Sequence, residues 1–442
     1  MKAWTLVFAV VLAAVPAKAW ASDLATQVDL YVRPLTDLDV FSGTVLIAKQ
    51  GRVLVRKSYG MADVELGVPV MPETRFRIAS VSKLFTAAAI GRLWEAGRLA
   101  PTDRLSKFLP DFPHGDSITV DMLVHHSAGI ANANDLPIAE EAAHANSLDD
   151  LIGHLGRLPL TSTPGARTSY SNGGYAILAK VIERATGESY NEAMTHLVFE
   201  PLHLTHTAHE ADGDLVPNRA LGYQPDARRA HGLARPPYQQ MNTKTGGGSL
   251  CSTADDLLGL ASAIEHDDLL RHQTWAALLP VEDSTLSMTG RCPGFNSLLA
   301  FDHGVTVVVL SNNYGSGMLA AMGSDLMKAA RGEAVAAPPW RSDVTVPVAA
   351  LSRLAGRWAL PPGALSFLGD RALDLRMEGD ALVLWSGDTP LDALVPQTPD
   401  RFLARNLWSE ITVDAEGAHL VCRPLYRKGG EFTLTRMTET TP

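Results

Sequence analysis

The chain has 442 residues, 46% of them hydrophobic and 19% charged, with a formal net charge of −10. That length admits a large core plus a second domain, and that composition excludes a disordered chain. So acidic a protein is a poor candidate for binding nucleic acid or an anionic membrane, and no nucleic-acid partner is expected.

In chain order, Lys2, the apolar run Leu6 to Val15 and the small residues ending Ala19-Trp20-Ala21 read as a secretory signal over residues 1–21. The run is too short to span a bilayer comfortably. Cleavage after Ala21 removes Lys2 and Lys18 and takes the net charge from −10 to −12. With no cysteine near that site, no stable membrane anchor is expected after cleavage, and the mature protein is expected to be exported, periplasmic or secreted. Gly43 to Ala48 and Val53 to Lys57 flank Lys49-Gln50-Gly51-Arg52 and predict a β-hairpin. A helix is predicted from Ser80 to about Ala96, stopped by Gly97, and another over Leu178 to Ala185, stopped near Gly187. Thr253 caps a third that runs to about Glu265, with Asp255 and Asp256 in its first turn. The β-branched run Val305 to Leu310 reads as a buried central strand, and Asp325 to Ala330 as a terminal helix.

Strands first, helices in the middle and a strand plus helix last predict an α/β (α+β) domain over residues 22–333. Its sheet is built from both ends, with a helical region inserted between them. Residues 334–346, with Ala336-Ala337-Pro338-Pro339, read as a linker. Over 347–442 the period changes to two: Leu373 to Met377, Leu382 to Trp385, Ile411 to Val413 and Phe432 to Leu434 alternate between turn signals such as Lys428-Gly429-Gly430. That predicts a small antiparallel β domain.

Chemistry concentrates in two motifs, Ser80-Val81-Ser82-Lys83 and Tyr170-Ser171-Asn172. A serine and a lysine three apart share one helical face, within side-chain reach. A helix N-terminus and burial both disfavour the ammonium form, so Lys83 is a candidate base for a Ser80 nucleophile.

The chain resembles the serine β-lactamase-related hydrolases: class C β-lactamases, D-amino-acid-specific carboxypeptidases and aminopeptidases, and esterases of the penicillin-binding-protein fold. The resemblance covers roughly Val28 to Arg331. It rests on Phe76-Arg77-Ile78-Ala79 before Ser80, on Leu123 to Ile130 with its His-Ser-Ala-Gly, and on Pro164-Gly165 before Tyr170. Gly187, Pro201-Leu202 and Gly246-Gly247-Gly248-Ser249-Leu250 followed by Ser252-Thr253-Ala254-Asp255-Asp256-Leu257 continue it. The resemblance implies that Ser80 is acylated, Lys83 accepts its proton, and Tyr170 relays a proton to the leaving group with its pKa pulled down by Lys83. Asn172 would contact the substrate amide and hold Lys83.

The family's third motif is Lys-Thr-Gly or His-x-Gly on a late strand. Lys244-Thr245-Gly246 matches in letters but stands too early and is read as a coincidence. Met288-Thr289-Gly290-Arg291 is the positional match, with Thr289, Gly290 and Arg291 at the substrate and the Ser80 and Arg291 amides as an oxyanion hole. Methionine at 288 removes the expected cation, which Arg291 or Lys244 could restore from another direction. The expected function is an exported serine hydrolase acting through a Ser80 acyl-enzyme on an ester, a β-lactam or a D-amino-acid peptide. The alternative is a non-catalytic or acylation-only member of the fold acting as a binding protein.

Several residues read as structural. His125-His126 have no metal-ligand partners at zinc spacing, and no cofactor is expected. Trp94, Trp275, Trp340, Trp358, Trp385 and Trp408 read as core or interface, while Tyr223 and Tyr238 are candidates for lining a substrate cleft. Three cysteines leave at least one thiol free, with a Cys251–Cys292 bridge open.

Overall fold

The computed structural model describes residues 23–134, 147–282, 284–314, 318–362, 364, 372–425 and 430–437. The expected signal over 1–21 and the Lys428-Gly429 part of one turn lie outside them. Five strands form an antiparallel sheet: β1 Gly43–Lys49, β2 Arg52–Tyr59, β3 Thr285–Cys292, β4 Phe295–Asp302 and β5 Val305–Ser311. Their order is β3-β4-β5-β1-β2, so β5 is the central strand and the two ends of the domain meet there, as the sequence predicts. Val45 faces Val309 and Leu46 faces Val308 in that seam.

Alternation along these strands splits the core into two layers. Leu46, Ala48, Val308 and Leu310 point into one hydrophobic cluster, centred on helix α2 (Ser82–Glu95). Val45, Ile47, Val307 and Val309 point into the other, covered by α1 (Leu24–Asp37) and α6 (Met318–Ala330). Burial on both faces is why β5 reads as an unbroken apolar run rather than an alternating one. Helix α2 is buried around nearly its whole circumference, Lys83 included, because it runs through the middle of the domain. Helices α3 (Leu148–Arg157), α4 (Asn172–Thr186) and α5 (Ala254–His266) complete the inserted region.

Two boundaries differ from expectation. Helix α4 begins six residues before Leu178, directly behind Tyr170-Ser171, because the Ser171 hydroxyl accepts from the Gly174 amide as an N-cap. Gly173-Gly174 hides that start, since glycine is a poor helix former, but a Cβ at Gly173 would lie 2.6 Å from the Ala131 carbonyl oxygen. Helix α6 likewise begins at Met318 rather than Asp325.

Beyond Gly356 the chain forms a closed barrel of eight antiparallel strands, from Gly356–Ala359 to Phe432–Arg436. Trp358, Leu384, Phe402, Ile411 and Leu434 fill it. The barrel shares a core with the first domain: Val395, Leu403 and Trp408 join Val28, Val32 and Leu326. The segment read as a linker carries Trp340 into that same core, and the Arg341 amide and carbonyl both bond the Gln397 side chain. Trp275, Trp340, Trp358, Trp385 and Trp408 are buried. No helix among the described residues is long and apolar enough to cross a membrane.

Candidate active site

Ser80 sits in a 3₁₀ turn, Ala79–Val81, at the entrance of α2. The short strand Phe76–Arg77 leads into it and pairs with Leu250–Ser252, and the Ile78 amide donates to the Leu250 carbonyl. Arg77 is held by the buried Glu210, whose carboxylate also accepts from Arg219 and from the Cys251 thiol. The backbone then turns through a φ of 45° at Ala79, a conformation an alanine adopts only under strain. That strain is stored directly beside the serine.

Lys83, one helical turn on, is only 2% exposed. Its Nζ donates to the Asn172 Oδ1 at 2.7 Å and to the Gly247 carbonyl at 2.6 Å, and lies 3.4 Å from Ser80 Oγ. Burial, reinforced by the positive charge of Lys244, brings its pKa down to about 7. A neutral amine has two N–H donors and one lone pair. Two carbonyl oxygens take the donors, so the lone pair is left for Ser80.

The Tyr170 hydroxyl meets Ser80 Oγ at 2.7 Å. Lys83 lies 4.9 Å from the centre of the Tyr170 ring, yet the phenol pKa is raised, not lowered. Desolvation of the hydroxyl dominates even though the side chain as a whole is half exposed, with only the Ser80 hydrogen bond opposing it. The expected tyrosinate is therefore replaced by a neutral phenol. His126, read from the sequence as structural, holds that phenol in place. Its ring packs 4.6 Å from the Tyr170 ring, and its Nδ1 accepts from the Ser171 amide. Burial, with the Lys83 charge, lowers its pKa to about 4, so it stays neutral.

The Met288-Thr289-Gly290-Arg291 match lies on edge strand β3, beside Ser80. A Cβ at Gly290 would lie 2.1 Å from the Ile78 carbonyl oxygen and 2.9 Å from the Ser80 nitrogen, so only glycine lets the strand pass this close. Arg291 and Cys292 line the pocket around Ser80 and Asn172, whereas Thr289 is exposed outside that lining. Met288 packs against the core cluster.

Lys244 corrects the sequence reading in part. It is not on β3, but it lines the Ser80 pocket from a short turn, Asn242–Lys244. Its carbonyl accepts from the Gly247 and Gly248 amides, which aims the Gly247 carbonyl at Lys83. Its Nζ donates to Asn134 Oδ1 at 2.8 Å. The Asn134 amide and the Asn172 side chain both donate to Asn132 Oδ1, so a chain of asparagines joins the two lysines. Asn132, Asn134 and Gln239 carry no motif in the sequence and are found only by the fold, while Gly247 stands in the glycine block that carries the resemblance but with no role read for it there.

Neither tyrosine proposed for the cleft lines it. Tyr223 is buried with its hydroxyl accepting from the Val64 amide, and Tyr238 is exposed and donates to Asp212. All three cysteines are free buried thiols, so the open Cys251–Cys292 bridge is not formed. Among the described residues no group of His, Cys, Asp and Glu is arranged to hold a metal ion.

Residues 28–331 match the Beta-lactamase family model. Among curated proteins, PbpX of Bacillus subtilis (strain 168) is 29% identical over 286 residues, covering 62% of this chain and 71% of its own. Among solved structures, the octameric penicillin-binding protein homologue from Pyrococcus abyssi is 20% identical, covers 94% of this chain and 100% of its own, and has a TM-score of 0.60. EstCE1, a hydrolase with promiscuous acyltransferase activity, is 23% identical over 70% of this chain and 99% of its own, also with a TM-score of 0.60. Matched over most of its length and carrying a lysine and a tyrosine within hydrogen-bond reach of Ser80, the chain belongs to the Beta-lactamase family, a family of serine hydrolases.

Proposed function

We propose that this protein is an exported hydrolase that works through an acyl-enzyme on Ser80, and that its substrates carry a negative group near the scissile ester, β-lactam or peptide bond. The observation that supports this best is Lys83. Among the described residues it forms no ion pair, and its donors are spent on two carbonyls. An isolated buried amine is costly to keep, and a protein that only bound a ligand would gain nothing from it.

In the forward step Ser80 Oγ attacks the carbonyl carbon while its proton passes to Lys83 Nζ. The Ser80 and Arg291 amides receive the developing oxyanion. As the tetrahedral intermediate collapses, the bond to the leaving group breaks. The leaving atom takes a proton from the Tyr170 hydroxyl, which is replenished by the one Lys83 had accepted. Water then attacks the ester with Lys83 again as the base, releasing the acid and restoring Ser80. Among the described residues the side chains lining the pocket include Lys244 and Arg291 but no carboxylate, which makes a local positive site within an acidic protein. That favours anionic substrates despite Met288.

The deciding experiment is intact-protein mass spectrometry with peptide mapping after incubation with a fluorescent penicillin, which is anionic, and a neutral phosphonate ester. The expected result is a Ser80 adduct from both, formed faster from the penicillin and absent in Ser80→Ala. Labelling by the phosphonate alone would overturn the anionic preference. No adduct from either, on folded protein, would leave the binding-protein reading.

A further inference from the structure

Arg405, in the turn after barrel strand Arg401–Ala404, is 0% exposed, an unusual place for a guanidinium. Its nearest carboxylate, Asp39, is 3.5 Å away. Its direct partners are four main-chain carbonyls, all belonging to the first domain: Leu38 at 3.2 Å, Gly232 at 3.4 Å, Asp226 at 3.2 Å and Arg229 at 2.6 Å. Three of the four lie in one small hairpin, where Gln224–Pro225 pairs with Leu233–Ala234. The barrel grips the same hairpin twice more. Asn406 donates to the Pro225 carbonyl, and Arg228 stacks its guanidinium 5.1 Å from the Trp385 ring centre.

The far side of that hairpin runs into the active site. Arg235 is forked onto Glu65, and Pro236 packs on Gly294, in the turn that joins β3 to β4. Gln239 then lines the Ser80 pocket. The near side ends at Tyr223, whose carbonyl accepts from the Tyr314 amide, and the Tyr314 ring lies 4.2 Å from the Arg291 guanidinium. The segment between the barrel and the nucleophile is therefore fixed at both ends.

A buried charge held mainly by carbonyls, with one carboxylate at 3.5 Å, is rarely the most stable filling for an interface, and apolar residues commonly do better. What the planar fork of an arginine adds is direction, because its N–H groups reach several acceptors at fixed angles. We propose that Arg405 is a positioning residue for the catalytic pocket: by gripping the 224–234 hairpin it sets the wall that carries Gln239, so the barrel governs which substrates fit. The catalytic meaning of this clamp rests on the acyl-enzyme reading above.

The test uses the full chain and four variants, Arg405→Met, Arg405→Lys, Asn406→Ala and Arg228→Ala. The last two remove grips on the hairpin without emptying the buried arginine site. Hydrogen exchange across 224–241 is compared with exchange in β1 and β5, which reports whether each variant is folded. Exchange in the hairpin of Arg405→Met is expected to quicken by about tenfold or more, with β1 and β5 unchanged. Arg405→Lys, which keeps the charge but not the fork, should recover only part of the protection.

Hydrolysis is read with p-nitrophenyl acetate and the bulkier p-nitrophenyl phenylacetate, alongside phosphonate labelling of Ser80. The KM for the bulky ester is expected to rise by roughly fivefold, with acetate hydrolysis and labelling within about twofold of wild type. Unchanged hairpin exchange in folded variants overturns the clamp. Faster exchange with both esters unaffected overturns its role in the pocket. If Arg405→Met fails to fold, Asn406→Ala and Arg228→Ala give the same readouts, smaller in size. Wild-type protein that labels nowhere overturns the acyl-enzyme reading and the catalytic role with it, while the exchange data still report whether Arg405 holds the hairpin.

Discussion

In the proposed reaction Lys83 and Tyr170 divide the acid–base work by environment rather than by residue type. Burial lowers the lysine to about 7 and raises the tyrosine, so near neutral pH one is a free base and the other a held acid. The sign of the pH dependence follows. Ser80 labelling should rise with pH through about 7 as Lys83 loses its proton, then stay level, because Tyr170 does not ionise in that range. The charge of Lys244 contributes to the low Lys83 value, so Lys244→Ala should move the rising limb to higher pH and slow labelling at pH 7. A stopped-flow pH profile of labelling checks this, and an unmoved limb would disprove the coupling. Tyr170→Phe leaves Lys83 its contact with Ser80 but removes the acid. It should slow ester turnover about 10²- to 10⁴-fold while slowing adduct formation from an activated phosphonate far less, a contrast that burst kinetics will show. Of these residues, Ser80, Lys83, Tyr170 and Asn172 are legible in the sequence. The direction of the Tyr170 shift is not, because it depends on how much water its hydroxyl loses.

At the scale of elements, edge strand β3 and the turn at Ser80 form one working unit. Gly290 is the point of closest approach, with Ser297 Oγ also donating to the Ile78 carbonyl from β4. Gly290→Ala must push main chain against main chain. It should cost roughly 1–3 kcal/mol of stability in thermal melts, and Ser80 labelling should fall by about 10²-fold or more as the oxyanion donors separate. A variant that melts lower but labels normally would show that β3 does not set the oxyanion site. The family resemblance points to this strand, since it makes Thr289-Gly290 the positional match to the family's third motif. The sequence does not foretell that Lys244 would line the same pocket, because the turn at 242–244 is placed by main-chain bonds to Gly247 and Gly248 that no spacing rule encodes. The start of α4 was hidden for a related reason. Two glycines weaken the local helix signal, and Gly173 answers a close contact with the distant Ala131 carbonyl.

Taken as a whole molecule, the two domains share the core around Trp340, Trp408 and Val32, so the barrel is seated on the first domain by apolar burial as well as by Arg405. Its own polar centre is Asp392, which is 0% exposed and has its pKa raised to about 7 by burial, against the Leu407 amide bond and the Arg405 charge. A carboxyl whose folded pKa is raised contributes stability that is complete below the unfolded value of 3.8 and lost as pH rises through about 7. Between pH 5 and pH 8 the wild-type melting temperature should therefore fall relative to that of Asp392→Asn, by on the order of 2 °C or more. Parallel melting curves for the two proteins would disprove it.

The sequence by itself determined the sheet made from both ends, the serine on a helix with its lysine one turn later, the Tyr-Ser-Asn segment and the all-β C-terminal region. Each of these is written in local periodicity or in residue types a few positions apart, so neighbouring residues suffice to reveal it. Only the tertiary structure decided which cations reach the pocket, which way Tyr170 titrates, that His126 braces it, and that the barrel holds the pocket wall through Arg405. These depend on desolvation and on contacts between residues that the chain separates by tens or hundreds of positions, and both are consequences of packing.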